Sequence, residues 1–498
     1  MKHIANKITA VLGSRLFLYG VMGFFVLEAL WIACSAVYPM AFDEDFHFGI
    51  IKLYSQHWSP FLAGQPEGMS AYGAVSRDPS YLFHYLLSLP YRFVVFFTTN
   101  EAIQVICLRL INIACMAAGL VVFRRVLLRA GASHALSNIA LALFVLIPIV
   151  PLLAGQINYD NLLFLLAAVG CLLTIQVHEQ LRERKIALAP IGALAIVAML
   201  ASLVKYAFLP LAAAMFLFLS AYALHAFYAH WQEVRIALRA SYRAMSNRVK
   251  ITLCILLIVA AGLFIQRYGI NMLTYHTPLP ACDAVLSKVE CANYSPWARN
   301  QEFARQNADV NANPLAYTGT WLLAMHYRLF FMVNGPASNF ANYPPLPLPG
   351  AAAVLVGITG LTAVVVYGRR VFYDRPVLVF FAMLIVLYVG VLWANNYAEF
   401  LKVGQPVAIN GRYLLVVLLP LAAILGGAIS VACRALPTLK PLLAVVVLAL
   451  FLQGGGVLAF IARSDETWYW PNRIAVRVNT SARAILAPVV VEGAKYYW

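Results

Sequence analysis

The sequence predicts an all-α polytopic membrane protein with about eleven transmembrane helices, and three observations predict it. Of its 498 residues 62% are hydrophobic and 11% charged, which leaves too little polar surface to cover a soluble core of that size. The apolar residues come in runs of roughly 17 to 25, long enough to cross a bilayer. The loops between those runs alternate between basic and neutral, as the positive-inside rule requires.

The runs lie near 16–40, 101–123, 134–154, 158–177, 187–203, 206–228, 251–269, 349–368, 376–394, 412–432 and 440–461. The first follows "MKHIANKITAVLGSR" and is too long, with too poor a cleavage site, for a removed signal, so it reads as a retained anchor. The stretch 80–98, "SYLFHYLLSLPYRFVVFFT", is also apolar, but Pro90 and Arg92 interrupt it and His84 sits above them. It reads as a helix lying in the interface. With that assignment the loops on the N-terminal side hold 19 Lys/Arg against four acids, and the rest of the chain holds 17 against 16. The N-terminus is then cytoplasmic and the C-terminal tail external. A span at 80–98 would instead put Arg124, Arg125 and Arg129 outside. The chain therefore divides into an N-terminal transmembrane module (1–269) carrying a first outward loop (41–100), a large outward loop (270–348), C-terminal membrane helices (349–461) and an outward tail (462–498).

The net charge of +16 is thus a matter of topology and points to no nucleic-acid partner. Its densest stretch spaces Arg235, Arg239 and Arg243 on one helical face beside Trp231, as in an amphipathic helix resting on anionic lipid. In the large outward loop, Ser295 with Pro296 and Asn313 with Pro314 read as two helix starts, and "NYPPLPLPG" (342–350) breaks the helix before the next span. Cys282 and Cys291 lie in this loop with eight residues between them and are expected to form a disulfide. The six other cysteines sit in or near spans as small hydrophobes. Short basic inward loops and an alanine-rich chain suit a bacterial inner membrane. The sequons at Asn293 and Asn479 would matter only in a secretory pathway.

Chemistry-bearing residues gather at the outward ends of the spans. In "FDEDFHFGIIKLYSQHW", a helical reading puts Phe42, Phe46, Ile50 and Leu53 on one face and Asp43, His47 and Tyr54 on another, the second stripe facing a cavity. Capping a helix needs one acid; Asp43, Glu44 and Asp45 supply three. "GQINYDNLLFLL" places Asp160 where the chain re-enters lipid, either as a cap with Asn158 or Asn161 or as a functional acid. "LVKYAFLP" carries Lys205, read equally as a snorkelling lysine or as an outward cation, with Tyr206 beside it. "KVGQPVAINGRYLLVVLLPL" carries Lys402, Gly411, Arg412 and Tyr413; arginine suits bidentate phosphate binding. Glu28, midway in the first span, is expected to be neutral or paired within the bundle. His57, His84 and His326 read as aromatic-belt residues. Carboxylates and cations around one outer mouth are the layout for transfer from a phosphate-linked lipid, in which a base takes the acceptor's proton and cations hold the leaving phosphate.

These segments resemble the GT-C glycosyltransferases, integral membrane enzymes that use polyprenyl-phosphate sugars. "DEDFHF" and "NGRYLLVVLLPL" look most like a branch with a DE-x-x-H motif and a GRYLLP-type stretch; Val416 stands where that branch has proline. The resemblance implies Asp43 as general base, Glu44 and His47 shaping its site, and Asp160 orienting the acceptor or a metal. It implies Lys205 and Arg412 on the donor phosphate, with Tyr206, Lys402 and Tyr413 completing the substrate site. The expected outcome is inversion by a single displacement, with a lipid-linked glycan, a lipid or a protein as acceptor. The sequence requires no cofactor; some relatives use a divalent cation, which would fall to Asp43 and Asp160. A transporter or flippase is the alternative, favoured by broken helices at the midplane and charges inside the bundle. A polymerase or ligase of lipid-linked glycans shares the long outer loop.

Overall fold

The computed structural model describes residues 2–40, 43–228, 231–306, 312–330, 347–464, 466–486 and 488. Among them every regular element is helical, apart from one antiparallel bridge between Ala36 and Tyr469. The N-terminal half runs α1 (Lys2–Leu12), α2 (Arg15–Ser35), α3 (Glu44–Ser55), α4 (Leu82–Phe97), α5 (Glu101–Arg129), α6 (His134–Val145), α7 (Ile149–Ala154), α8 (Tyr159–Arg182), α9 (Leu188–Val204), α10 (Leu209–Phe227), α11 (Trp231–Ala244) and α12 (Asn247–Phe264). The remainder runs α13 (Ile270–Tyr275), α14 (Cys282–Val285), α15 (Lys288–Cys291), α16 (Ser295–Gln306), α17 (Pro314–Phe330), α18 (Pro347–Phe372), α19 (Pro376–Val403), α20 (Leu415–Ala432), α21 (Leu439–Leu452), α22 (Val457–Arg463) and α23 (Arg473–Leu486).

Nine of the described helical segments are long and apolar enough to cross a membrane, which makes this a polytopic helical protein. Two of the eleven expected spans take another form. The run 134–154 is broken at Leu146–Pro148 into α6 and α7, because Pro148 has no N–H to continue the ladder. The run 187–203 is the 17-residue α9, about 26 Å long at 1.5 Å per residue. Burial sorts the rest: 61% of the apolar windows of α8 and α20 is covered by protein, against 6% in the segment Asn247–Tyr275. The first two are central and the last is peripheral.

Helix starts follow their capping residues. Ser14, Asn100, Ser133 and Ser246 each accept a hydrogen bond from the backbone N–H three residues on, satisfying donors the first turn leaves open. Asn313 Oδ1 does the same for Leu315 N and Ala316 N. α16 starts one residue earlier than expected, with Ser295 inside the helix and the Tyr294 carbonyl taking the Ala298 N–H. The "NYPPLPLPG" break lies outside the described residues except for its last four. Arg235, Arg239 and Arg243 are exposed on α11.

The 80–98 stretch forms α4, which packs along α3. His84, Leu87, Ser88 and Tyr91 are buried, while Phe93, Phe96 and Phe97 are exposed. Arg92 donates to the carbonyls of Tyr54, at 2.8 Å, and His57, with its guanidinium 4.0 Å from the Trp58 ring. The charge that argued against a span thus closes the C-terminal end of α3, where cations are favoured.

The exit of α2 is tied to the C-terminal segment. Val37 N donates to Trp468 O, Trp470 N to Ser35 O, and Trp31 Nε1 to Asn479 Oδ1 at 2.8 Å. Glu28, buried in α2, accepts from Val457 N at 2.8 Å, so it is paired within the bundle. Asn479 is buried and unsuited to modification. Cys282 and Cys291 are joined by a disulfide that staples α14 to α15.

Candidate active site

Two asparagines build the site. Asn158 caps α8 and accepts from Asp160 N at 2.9 Å; Asn410 caps the turn Gly411–Leu414 and accepts from Arg412 N at 3.0 Å. Each Asn-x-charged triplet, "NYD" and "NGR", therefore fixes a charged side chain in the first turn of a helix. Gly411 is required for the second of these. A Cβ there would lie 2.7 Å from Met325 O and 2.8 Å from Leu329 N, so the backbone of α17 occupies the space of a side chain.

The charged side chains meet across the fold. Arg412 Nη2 is 2.9 Å from Asp43 Oδ2, and its Nε is 3.7 Å from Asp160 Oδ2. Lys205 Nζ lies 2.6 Å from Asp160 Oδ1, between the rings of Tyr159 and Tyr413 at 4.4 and 4.5 Å from their centroids. Lys205 is 5% exposed; it is no snorkelling lysine but one half of a buried pair, on the C-cap of α9 where helix carbonyls favour a cation. Asp43 is the open member, with its side chain 62% exposed. Its backbone is left-handed, φ 67°, a region aspartate and asparagine enter more easily than other side chains.

Glu44 and His47 stand behind this cluster rather than in it. Glu44 is fully buried, and Oε1 accepts from Arg109 Nε (2.8 Å) and Ile157 N (3.0 Å) while Oε2 accepts from Arg109 Nη2 (2.7 Å) and Met40 N (2.8 Å). Arg109 also donates to Ala33 O and Ala36 O. With both groups saturated, Glu44 joins α3, α5 and the turn before α8 and reaches no substrate. Asn112 continues the relay, accepting from Asn158 N and Asn161 Nδ2. Asp160 is thereby positioned from Glu44 outward.

His47 and Tyr54 face no cavity, contrary to the two-stripe reading of 42–58; both are buried, α3 starts at Glu44, and Phe42 lies outside the described residues. His47 Nδ1 is 2.9 Å from His84 Nε2, the rings stacked, with Tyr159 edge-on to His47 at 4.5 Å. His84 is accordingly no belt residue. Burial lowers both: His84 to about 3, and His47 well below the usual range, helped by His84, Arg412 and Lys205. His57 is exposed and His326 half-buried. Lys402 is exposed in the last turn of α19 and takes no part in these ion pairs. Tyr206, 44% exposed, donates its N–H to Ser80 Oγ.

Compared with known proteins, this chain matches no family model and no curated sequence. The site stands on its own geometry. Sequence reading missed Arg109, whose signal was a lone charge inside an apolar span. It also missed Arg328, which donates to Ile409 O in the loop before Gly411. Burial lowers Arg328, and the cations Arg299 and Arg412 act in the same direction. Among the described residues no three His, Cys, Asp or Glu side chains gather as a metal site. Arg412 stands between the two carboxylates that a divalent cation would share. A groove of about 930 Å³ lined by Trp31, Ile103, Trp470 and Val478 shares no residue with the cluster.

Proposed function

We propose that this protein is a membrane glycosyltransferase of the GT-C type, moving a sugar from a polyprenyl-phosphate donor to an acceptor hydroxyl at the periplasmic face of a bacterial inner membrane. The observation that carries the reading is an exposed carboxylate, Asp43, held by an arginine that neighbours a second cation, Lys205. A phosphate arriving at Arg412 competes with Asp43 for the guanidinium. Once displaced, Asp43 has both carboxylate oxygens free to meet the acceptor's hydroxyl. Donor binding then prepares the base. The acceptor oxygen attacks the anomeric carbon, the carbon–oxygen bond to phosphate breaks with its electron pair leaving on the phosphate, and Asp43 takes the acceptor's proton. The anomeric centre inverts. Arg412 and Lys205 hold the leaving phosphate, which needs no acid.

The transporter reading draws on charges inside the bundle. Arg109 adds one, but Glu44 neutralises it in a fully buried pair, so it offers no free charge to a passing ion.

The test is mass spectrometry of lipids co-purifying with wild type, Asp43→Asn and Arg412→Ala. Asparagine tolerates the left-handed backbone, so Asp43→Asn folds. A polyprenyl-phosphate sugar enriched in Asp43→Asn and absent from Arg412→Ala is the expected result. Bulk phospholipid alone in all three would overturn the reading.

A further inference from the structure

The end of the bundle opposite the charged cluster carries a helix whose arginines have no acid beside them. α8 leads away from Asp160, α9 returns to Lys205 and α10 leaves again, so α11 lies at that opposite end, between α10 and α12. Both neighbours belong to segments long and apolar enough to cross a membrane, and only residues 228–230 and 245–246 join them to α11. At about 3.6 Å per residue the longer link reaches roughly 14 Å, so α11 stays at the bilayer surface. One side of it is fixed to the protein. Ser241 Oγ accepts from the N–H of Leu188, the first residue of α9, at 2.9 Å, and Val234 and Ala237, half-buried, share that side.

The other side is cationic. Arg235, Arg239 and Arg243 recur at every fourth residue and line one face over about 12 Å of helix, and all are exposed. The acids at this end of the bundle are engaged elsewhere: Glu179 with Arg129 at 3.3 Å, Glu183 with Lys185 at 2.8 Å and Glu233 with Arg184 at 3.8 Å. Asp374 lies in the turn between α18 and α19. Lys250 adds a further charge, its Nζ held 4.4 Å from the centre of the Tyr242 ring. Exposed apolar side chains border the arginines, Leu238 and Tyr242 on one flank and Ile236 on the other. A helix turned only to water gains nothing from that border. At a membrane surface the apolar flanks enter the boundary between headgroups and acyl chains while the guanidinium groups meet phosphate.

We propose that α11 is a binding surface for anionic phospholipid headgroups in the leaflet on its side of the membrane, with Arg235, Arg239 and Arg243 on the phosphates and Leu238, Tyr242 and Ile236 set among the chains. The bilayer to which α11 is tethered is the nearest source of negative charge, which favours lipid over an acidic protein. This surface is independent of the reaction proposed for the opposite end.

The experiment is native mass spectrometry of the full chain released from mixed micelles that hold phosphatidylglycerol and phosphatidylcholine in equal amounts with matched acyl chains. Wild type is compared with Arg235→Gln/Arg239→Gln/Arg243→Gln, with the same positions changed to lysine, and with Arg369→Gln/Arg370→Gln, which removes exposed arginines from the last turn of α18 at the same end of the bundle. Wild type should retain phosphatidylglycerol in preference, and in the glutamine variant of α11 the ratio should fall roughly fivefold or more. The lysine variant, which keeps the charge, and the α18 variant should both stay close to wild type. Equal ratios in wild type and the α11 glutamine variant overturn the proposal. So does an equal fall in the α18 variant, which makes the preference a property of every cation at that end. Salt gives a check that needs no variant: going from about 0.05 M to about 0.5 M shortens the screening length roughly threefold and should erase the wild-type preference, whereas a preference indifferent to salt refutes an electrostatic headgroup site. A glutamine variant that keeps the lipid ratio but loses a soluble protein carried from native membranes assigns α11 to a protein partner instead.

Discussion

Replacing Glu44 by glutamine keeps shape and removes one charge, so it tests whether this residue holds the fold or serves the chemistry. Both Glu44 and Arg109 are 0% exposed, and the carboxylate accepts four hydrogen bonds, two on each oxygen. Glutamine offers one oxygen. Whichever way its amide turns, the –NH₂ faces either Arg109 Nε with Ile157 N or Arg109 Nη2 with Met40 N, so two donors lose their acceptor. Breaking a buried pair by removing one partner costs about 3–5 kcal/mol, a shift of roughly 10²- to 10⁴-fold in the folding equilibrium. The assay is thermal unfolding of purified protein beside wild type and Asp43→Asn. Glu44→Gln should melt well below both, with a smaller monodisperse fraction. Adding Arg109→Met should recover part of the loss, since the stranded charge goes; recovery stays incomplete because Ala33 O and Ala36 O lose their donor. A Glu44→Gln protein that melts with wild type yet loses activity would refute the structural role.

Gly411→Ala should cost about 1–3 kcal/mol, the usual range for overpacking, because its Cβ meets backbone atoms of α17; Gly427→Ala, with nothing within 4 Å of its Cβ, should leave the melting temperature unchanged. The His47–His84 pair should make the fold acid-sensitive, since unfolded histidine takes up a proton below about pH 6.5 while folded His84 stays neutral down to about 3. The stability it contributes is present above pH 6.5 and lost as pH falls, by about 1.4 kcal/mol at pH 5.5 for His84 alone. A melting temperature flat from pH 7 to 5.5, or equally steep in His84→Asn, would sink this.

Much of the architecture was legible because bilayer-length apolar runs and their caps are local features. The "NYD" and "NGR" triplets are local in the same sense, which is why Asp160 and Arg412 could be picked out before their partners were known. Hydropathy windows average over Pro148, so the break between α6 and α7 was lost in them although the proline was in view. Pairings are not local. Arg109 and Glu44 are 65 positions apart, and no spacing rule connects a lone arginine in one span to one acid among three in a loop. His84 reads as a belt residue in sequence and is buried in the fold, because helical periodicity does not reveal which face another helix will cover. Lys402 resembles Lys205 as a charge at a helix end, yet only one of them meets a carboxylate.

The bond from Arg412 to Asp43 spans 369 positions, and that from Trp31 to Asn479 spans 448. At a synthesis rate of 5–20 residues per second, roughly 20 to 70 s separate the emergence of Asp43 from that of its arginine. Glu28 waits as long for Val457. The first membrane helix is thus inserted with its buried acid and its exit strap unpartnered, and the growing chain holds only half a site. The cluster of Asp43, Asp160, Lys205 and Arg412 is therefore complete only once the late spans have emerged, so the order of synthesis itself keeps a partly built site from closing early.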